Sequence, residues 1–225
     1  MKAMILAAGL GKRMRPLTDR LPKPLLTVGG KPLIVYHIER LAQLGVTELI
    51  INVSHLGHLL EEALGDGSDY DVNITWSREE EPLETGGALL QAMDLLGAEP
   101  FLLINGDIWT DYPLQQLLDR QLPEQCLGHL VLVPNPEHNL SGDFTLHGDH
   151  LLLNTELDAG FTFSGISLLR PQLISTYTER RQSFPLREAF EEAIAHDQLA
   201  GEVFRGQWWD IGTPERLAEL DNLLR

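Results

Sequence analysis

The amino-acid sequence predicts an α/β fold in which a Rossmann-like, mostly parallel mixed sheet is flanked by helices. Strand-like and helix-like segments alternate through the first half of the chain, as is typical of parallel strands joined by helical crossovers. With 225 residues, of which 43% are hydrophobic, the chain is long and apolar enough for one sizeable core. Between residues 134 and 153 the pattern changes to short alternating segments, which predicts a small antiparallel hairpin beside that core.

The predicted elements can be placed from their apolar spacing and their turn residues. The first strand is the aliphatic run that ends at Leu6. A helix follows, for which Pro32 is well placed as the first residue and Gly45 as the stop signal. The remaining predicted strands lie at 46–51, 72–76, 101–104 and 130–133, and the remaining predicted helices at 55–64, 88–93, 186–196 and 214–224.

The segment that closes the first strand, residues 6–14, has the features of a triphosphate-binding loop. Gly9 and Gly11 allow the backbone to turn sharply and to bring N–H groups close to an anion. Arg13 and Lys23 add a planar guanidinium and a mobile ammonium, which are two different ways of holding phosphate oxygens. We therefore expect this end of the sheet to bind a polyanionic ligand.

Two better-known glycine motifs do not fit this loop. A dinucleotide-binding fingerprint requires a third glycine where Met14 stands, and an acidic residue at the end of the second strand, where the chain has Asn52. A Walker A loop requires Ser or Thr in the place of Arg13. A nucleotide-dependent oxidoreductase is therefore disfavoured.

The charge distribution supports a small polyanion as the ligand. The chain has a net charge of −16, yet residues 1–31 contain seven Lys and Arg and a single acid, Asp19. A chain this acidic is a poor general partner for nucleic acid or for an anionic membrane. Ordinary solubilising surface charge is the alternative explanation, and the neighbouring glycine loop makes it the weaker one.

Two aspartates are predicted to bind a divalent metal. Asp107 follows the strand predicted at 101–104, and in open α/β sheets ligands collect outside the carboxyl ends of the strands. Asp210 lies much later in the chain, in the segment 208–214, and could supply a second carboxylate to the same ion. Mg²⁺ prefers hard oxygen ligands and bridges them to phosphate. An Asx-type turn at Asp107 and a plain loop position for Asp210 are the alternatives.

Six segments together, in this order, resemble the sugar-1-phosphate nucleotidyltransferases over nearly the whole chain: residues 6–14, 22–24, 84–87, 105–107, 164–166 and 209–213. The resemblance implies that a nucleoside triphosphate and a sugar 1-phosphate react to give a nucleotide sugar and pyrophosphate, with Mg²⁺ as the cofactor. It implies one domain, 1–225, with a nucleotide-binding part at 1–133 and a sugar-binding part with the C-terminal helices at 134–225.

The resemblance also implies roles for individual residues. The triphosphate would be gripped by Arg13 and Lys23, and Mg²⁺ would be bound by Asp107 and Asp210, so that these four residues are the candidate catalytic groups. The candidate nucleotide-binding residues are Leu6, Ala8, Gly9, Gly11, Lys12, Arg13, Lys23, Thr85 and Gly86, and the candidate sugar-binding residues are Asn105, Gly142, Asp143, Glu156 and Ser164.

Within the family, the segments 84–87, 105–111, 142–144 and 161–167 are most similar to uridylyltransferases that act on N-acetylmuramate 1-phosphate in bacterial cell-wall recycling. UTP is then the expected nucleotide. Many relatives have a lysine in a Glu-Lys-Pro segment that meets the sugar phosphate, whereas residues 155–158 contain none. The resemblance does not identify which residue would contact the sugar phosphate in place of that lysine.

Other functions remain open at this point. A mannose-1-phosphate guanylyltransferase or a glucose-1-phosphate nucleotidyltransferase is the main alternative, because the lead-in Pro82-Leu83 also resembles guanylyltransferases. A non-catalytic paralogue that senses nucleotide sugars is disfavoured, because a binding module does not need both metal carboxylates. The single cysteine, Cys126, and the lack of a signal-like or membrane-spanning apolar run lead us to expect a cytoplasmic protein.

Overall fold

The computed structural model describes residues 1–154 and 160–225. Within them the chain forms a large mixed sheet of nine strands in the order β5-β4-β1-β6-β11-β8-β12-β10-β9, and two small two-stranded sheets, β13-β7 and β2-β3. The strands are β1 (Lys2–Leu6), β2 (Thr27–Val28), β3 (Lys31–Pro32), β4 (Glu48–Val53), β5 (Asn73–Arg78), β6 (Phe101–Asn105), β7 (Ile108–Thr110), β8 (Gly128–Val133), β9 (Phe144–His147), β10 (His150–Leu153), β11 (Thr162–Leu169), β12 (Leu199–Val203) and β13 (Trp208–Asp210).

The helices lie between these strands and after them. They are α1 (Leu33–Gln43), α2 (Gly57–Leu64), α3 (Glu84–Gln91), α4 (Met93–Leu96), α5 (Gln115–Leu118), α6 (Gln172–Ser175), α7 (Leu186–Ala195) and α8 (Pro214–Leu223). Short 3₁₀ turns occur at Lys12–Met14, Leu17–Asp19, Lys23–Leu25 and Ser68–Tyr70. In the described residues no helix has the length and apolar character that crossing a bilayer requires.

The large sheet is parallel on one side and mixed on the other. Strands β5, β4, β1 and β6 run in the same direction, with Met4 of β1 opposite both Ile50 and Leu103. Strand β11 then pairs antiparallel with β6 and with β8. Because successive parallel strands end at one edge, the carboxyl ends of β1, β4 and β6 meet beside the predicted phosphate loop.

Apolar clusters cover both faces of the sheet. Along β1 the side chains alternate, so that Ala3 and Ile5 belong to one cluster and Met4 to the other. Helices α1 and α2 pack on the first face through residues such as Ile38 and Leu60. Helices α3 and α7 cover the second face. Burial on both faces explains why the central strands are continuously hydrophobic rather than alternating.

The structure confirms the predicted fold class and differs from the sequence prediction in detail. The first helix begins at Leu33, one residue after Pro32, which instead ends the short strand β3. The predicted hairpin is present as β9 and β10, and it extends the main sheet at its edge. The strands that were not predicted are β2, β3, β7, β11, β12 and β13.

Candidate active site

Two clefts lie side by side at the carboxyl ends of β1 and β6. The first has a volume of about 320 Å³ and the second about 180 Å³. Leu6, Thr85 and Asn105 line both clefts, so these three residues form their common wall. A ligand group in one cleft therefore lies close to a ligand group in the other.

The glycine loop forms one side of the first cleft. Ala8, Gly9 and Lys23 line it together with Leu6, as the sequence predicts. Gly11 has a φ of +57°, and a Cβ there would lie 2.7 Å from Cγ2 of Thr18. The hydroxyl of Thr18 donates to the carbonyl of Gly11 at 2.8 Å. Gly11 thus fixes the turn of the loop and does not itself line either cleft.

A buried polar pair holds this loop from below, and the sequence analysis did not identify it as part of the site. Asn52 accepts a hydrogen bond from the N–H of Ala7 at 2.8 Å and donates to Glu79 at 2.7 Å. The second oxygen of Glu79 accepts the N–H of Leu83 at 3.0 Å. Asn52 and Glu79 also line the first cleft. The sequence did contain one indication that Asn52 belongs to the site. It lies near the end of a predicted strand, and ligand-binding groups collect at strand ends.

The start of α3 forms the opposite side of the first cleft. Glu84 and Thr85 line the cleft, whereas Gly86 is buried behind them. The N–H of Gly86 donates to the carbonyl of Phe184 at 2.9 Å, and a Cβ on Gly86 would collide with that residue. The hydroxyl of Thr85 accepts the N–H of Leu186 at 2.8 Å. Gly86 therefore permits the close approach that couples α3 to the start of α7.

The two predicted metal aspartates are brought together by the small sheet of β7 and β13. In this antiparallel pair Asp210 lies opposite Ile108, the residue after Asp107. The N–H of Ile211 donates to the carbonyl of Asp107 at 2.8 Å. Asp107 lines the first cleft, with its side chain 40% exposed. The backbones of residues about one hundred positions apart in the chain are thus paired, although Asp210 itself lines neither cleft.

A cationic side chain contacts each of these carboxylates. Nζ of Lys23 lies 2.5 Å from Oδ2 of Asp107. Nη1 of Arg216, in the first turn of α8, lies 2.5 Å from Oδ1 of Asp210. His138 also approaches Asp210, with Nε2 at 3.1 Å from Oδ1. Neither Arg216 nor His138 was identified from the sequence.

The arrangement of these carboxylates fits Mg²⁺. Mg²⁺ is commonly held by one or two carboxylates and completes its octahedron with water and substrate phosphates. In residues 1–154 and 160–225 no group of three or more His, Cys, Asp or Glu side chains could hold a metal. A site with two carboxylates, completed by phosphate oxygens, agrees with this coordination preference and with the lack of a larger ligand group among the described residues. The cations now paired with Asp107 and Asp210 show that each carboxylate can bind a positive charge.

The basic residues that directly follow the glycine loop line neither of the two clefts. Lys12 and Arg13 are exposed and belong to the 3₁₀ turn after Gly11. A Cβ on Gly212 would lie 3.2 Å from Nη2 of Arg13 and would collide with the guanidinium of Arg216. Arg13 therefore approaches the segment that carries Asp210, on the side where a triphosphate bound to the metal would lie.

One buried histidine lies behind the metal aspartates. His37 of α1 is 2% exposed, and its Nε2 lies 2.9 Å from the carbonyl oxygen of Ile108. Burial lowers the pKa of His37 to about 4, because desolvation disfavours the charged imidazolium. The neutral ring thus donates a hydrogen bond to the first residue of β7, which directly follows Asp107.

The second cleft contains two of the predicted sugar-binding residues, Asn105 and Asp143. Oδ2 of Asp143 accepts the N–H of Phe163 at 2.8 Å, and its Oδ1 lies 3.0 Å from Nη1 of Arg187. Arg187 and the ring of Phe144 also line the cleft. The cleft thus combines aromatic rings with an amide, a carboxylate and a guanidinium. This mixture of apolar and polar groups suits a sugar derivative.

Two other predicted sugar-binding residues, Gly142 and Ser164, do not line this cleft. Gly142 precedes Asp143, with a φ of +71°, and allows close packing against the backbone of Gly160. Ser164 is 1% exposed and lies in a bulge of β11, where its hydroxyl accepts the N–H of Ile166 at 3.2 Å. Glu156 lies outside the described residues.

Comparison with known proteins places this chain in a family. The nucleotidyl transferase family model matches residues 2–142. The chain is 46% identical to the N-acetylmuramate alpha-1-phosphate uridylyltransferase of Neisseria meningitidis, over 99% of this chain and 98% of that protein. It is 33% identical to the mannose-1-phosphate guanyltransferase of Schizosaccharomyces pombe, over 96% of this chain and 62% of that protein. The chain thus spans less than two thirds of the guanyltransferase.

Solved structures show the same fold. A Bacillus anthracis protein in complex with sucrose superimposes with a TM-score of 0.86 at 21% identity, over 100% of this chain and 95% of that one. HddC from Yersinia pseudotuberculosis in complex with GMP-PN gives a TM-score of 0.80 at 23% identity, over 100% of this chain and 99% of that one. The chain therefore belongs to the nucleotidyl transferase family, among the sugar-1-phosphate nucleotidyltransferases.

Proposed function

We propose that the protein transfers a uridylyl group from UTP to N-acetylmuramate 1-phosphate, giving UDP-N-acetylmuramate and pyrophosphate. The observation that carries the choice of substrates is the 46% identity to the Neisseria uridylyltransferase, which extends over 99% of this chain. Such an activity fits an enzyme of bacterial cell-wall recycling, acting in the cytoplasm where UTP is available.

The two clefts suit the two substrates of this reaction. The nucleotide would lie in the first cleft, between the glycine loop and the start of α3. The sugar would lie in the second cleft, near Asp143 and the aromatic rings. Its 1-phosphate would lie at the common wall formed by Leu6, Thr85 and Asn105, where it can reach the α-phosphorus. We therefore propose that residues 1–133 bind mainly the nucleotide, and residues 134–225 the sugar and the metal's second carboxylate.

The reaction is a direct displacement at the α-phosphorus. An oxygen of the sugar 1-phosphate forms a new bond to that phosphorus, and the bond to the β-phosphate oxygen breaks to release pyrophosphate. The attacking oxygen is already ionised at neutral pH, so no general base is required. What limits the reaction is the repulsion between two anions and the charge that develops on the leaving group.

The residues of the site address both electrostatic problems. Asp107 and Asp210 would hold Mg²⁺, which supplies positive charge to the phosphate oxygens when it is bound. Lys23 is 11% exposed at the floor of the first cleft, so its ammonium acts with little screening. Arg13, which approaches the segment that carries Asp210, would stabilise the charge of the departing pyrophosphate.

A guanylyltransferase acting on mannose 1-phosphate is the second candidate. The similarity of 33% to the Schizosaccharomyces pombe guanyltransferase supports it. Both candidates use the same metal and phosphate residues and differ in the base and the sugar. The choice between them depends on the groups that line the two clefts.

Pyrophosphate release in the presence of Mg²⁺ tests the proposal. UTP, GTP, dTTP, CTP and ATP would each be combined with the 1-phosphates of N-acetylmuramate, N-acetylglucosamine, mannose and glucose. We expect the highest kcat/KM for UTP with N-acetylmuramate 1-phosphate. Preference for GTP with mannose 1-phosphate would favour the second candidate, and absence of turnover with every pair would contradict both.

A further inference from the structure

The proposed sugar substrate carries two anionic groups. One is the 1-phosphate, which all substrates of this family share. The other is the carboxylate of the lactyl ether, which distinguishes N-acetylmuramate from N-acetylglucosamine and from the neutral hexoses. A cleft that selects the acidic sugar requires a cation for this carboxylate, because an unpaired charge in a partly desolvated site is costly.

The second cleft offers one basic side chain among the described residues that line it, and this is Arg187. Arg187 does not line the first cleft. The 1-phosphate must lie near Asn105, at the wall that both clefts share, in order to reach the nucleotide. Arg187 is thus placed for an anionic group at the far end of the sugar.

The guanidinium of Arg187 is held in a defined orientation. It lies 5.5 Å from the centroid of the Phe144 ring. Its Nε donates to Glu191 at 2.8 Å, and its Nη1 and Nη2 donate to the side chain and the carbonyl of Asp143 at 3.0 and 3.4 Å. These contacts use three of the five N–H groups, and within residues 1–154 and 160–225 the other two have no acceptor. Preorganised donors of this kind are available to a ligand without further loss of rotamer freedom.

The position of Arg187 in the chain explains why it points into the cleft. Pro185 caps α7, so Arg187 lies in the first turn of this helix. Leu186, next to it, is tied to Thr85 by the hydrogen bond of its N–H to the threonine hydroxyl. The side chain of Arg187 is 51% exposed, which leaves room for a ligand on its open side.

We infer that Arg187 binds the carboxylate of an acidic sugar substituent and thereby selects N-acetylmuramate 1-phosphate over neutral sugar 1-phosphates. The inference rests on the proposed function and adds to it a specificity-determining residue. Asp143 has two roles in this arrangement, since it orients Arg187 and remains available to sugar hydroxyls as an acceptor. The residue that takes the place of the missing sugar-phosphate lysine is a separate question.

Steady-state kinetics with paired substrates test this inference. The variants would be R187Q, which removes the charge, and R187K, which keeps the charge without the planar fork. The exposed residue Arg180 supplies the control R180Q, because its side chain is bound to the carbonyl of Ser175 and lines neither cleft. Each protein would be assayed with UTP and either N-acetylmuramate 1-phosphate or N-acetylglucosamine 1-phosphate.

We expect R187Q to lower kcat/KM for N-acetylmuramate 1-phosphate by about tenfold or more, the size expected for a lost charge-assisted hydrogen bond. The kcat/KM for N-acetylglucosamine 1-phosphate and the KM for UTP should remain within about twofold of wild type. For N-acetylmuramate 1-phosphate, the kcat/KM of R187K should lie between those of wild type and R187Q. An equal loss with both sugars would overturn the inference and would indicate that Arg187 binds the shared phosphate. The inference would also be overturned if R187Q kept full activity and the same ratio of kcat/KM for the two sugar 1-phosphates.

A binding measurement separates this inference from the proposed function. Calorimetric affinities for UDP-N-acetylmuramate and UDP-N-acetylglucosamine would be compared in wild type and R187Q. If wild type fails to turn over N-acetylmuramate 1-phosphate, the proposed function is wrong. The inference then stands only if wild type binds UDP-N-acetylmuramate more tightly than UDP-N-acetylglucosamine and R187Q abolishes this difference in affinity. It fails if wild type shows no such difference, or if the difference persists in R187Q.

Discussion

The backbone N–H of Ile211 donates a hydrogen bond to the carbonyl oxygen of Asp107 at 2.8 Å. This bond, with the short antiparallel pairing of β7 and β13, aligns Asp210 beside Asp107. One carboxylate comes from the segment after β6 and the other from the C-terminal part of the chain. The proposed metal site would therefore be complete only when β13 has paired with β7.

The paired carboxylates lead to a first prediction. We expect D107N and D210N each to lower kcat by about 100-fold or more, because each removes a charged metal ligand. Both side chains are partly exposed, so folding should be preserved. D69N, which makes the same substitution at an exposed aspartate away from the clefts, should retain wild-type turnover. Either site variant with near-normal kcat would contradict the metal assignment.

The contact between Arg216 and Asp210 leads to a second prediction about the metal alone. Arg216 is paired with Asp210 in the structure, so it would compete with a divalent cation for this carboxylate. We expect R216Q to bind Mn²⁺ about two- to fivefold more tightly, which corresponds to the loss of one partly exposed ion pair. Paramagnetic resonance titration of free Mn²⁺ measures this directly.

The control for Arg216 lies just after the end of the same helix. Arg225 pairs with Asp221 at 2.7 Å and is largely exposed, so R225Q removes one positive charge at a distance from the site. Equal tightening in both variants would indicate a general charge effect. Weaker Mn²⁺ binding by R216Q would show that Arg216 does not compete with the metal.

Lys23 is predicted to act on the triphosphate. We expect K23M to raise the KM for the nucleotide and to lower kcat together by at least about tenfold, because the charge lost is largely buried in the first cleft. Lys31 pairs with Glu39 away from the clefts, and K31M should leave both constants unchanged. A K23M enzyme with normal nucleotide KM and normal kcat would exclude the phosphate role.

Stability should depend on pH through His37. Its pKa is about 4 in the folded protein and near 6.5 in the unfolded chain. Below pH 6.5 the unfolded chain therefore binds a proton that the folded protein does not bind, and the free energy of unfolding falls as the pH decreases to about 4. The loss from this group approaches about 3 kcal/mol.

Urea unfolding of wild type and H37Q between pH 7 and pH 4.5 measures this effect. Glutamine keeps a donor for the carbonyl of Ile108 and does not titrate. The difference in unfolding free energy between the two proteins should change with pH across this window, with wild type losing stability relative to H37Q. A constant difference would show that His37 does not titrate as its burial implies.

The sequence predicted those features that depend on local patterns. The glycine loop and Asp107 were predicted from their places after strands, and both line the first cleft. Thr85 and Asn105 were implied only by the resemblance to the family, and they line the same cleft. The alternation of elements likewise predicted the parallel half. The loop motifs and the individual strands and helices can each be recognised from a short stretch of neighbouring residues.

The features that were missed depend on pairing between distant segments. Asn52 and Glu79 form a buried pair only because β4 and β5 end together, and Arg216 meets Asp210 only because α8 turns back towards β13. Strand β11 was missed because it is antiparallel in a sheet whose other central strands suggested parallel pairing. Ser164 was predicted from a motif, yet the bulge turns its hydroxyl towards the backbone.

The wall of Leu6, Thr85 and Asn105 has a consequence for inhibition. Because these three residues line both clefts, a single molecule that extends along them would contact both sites. Joining a uridine group to an acidic sugar mimic gives a bisubstrate compound that loses overall translational and rotational freedom once instead of twice. Such a compound should bind far more tightly than either half, provided that its linker is as short as a pyrophosphate.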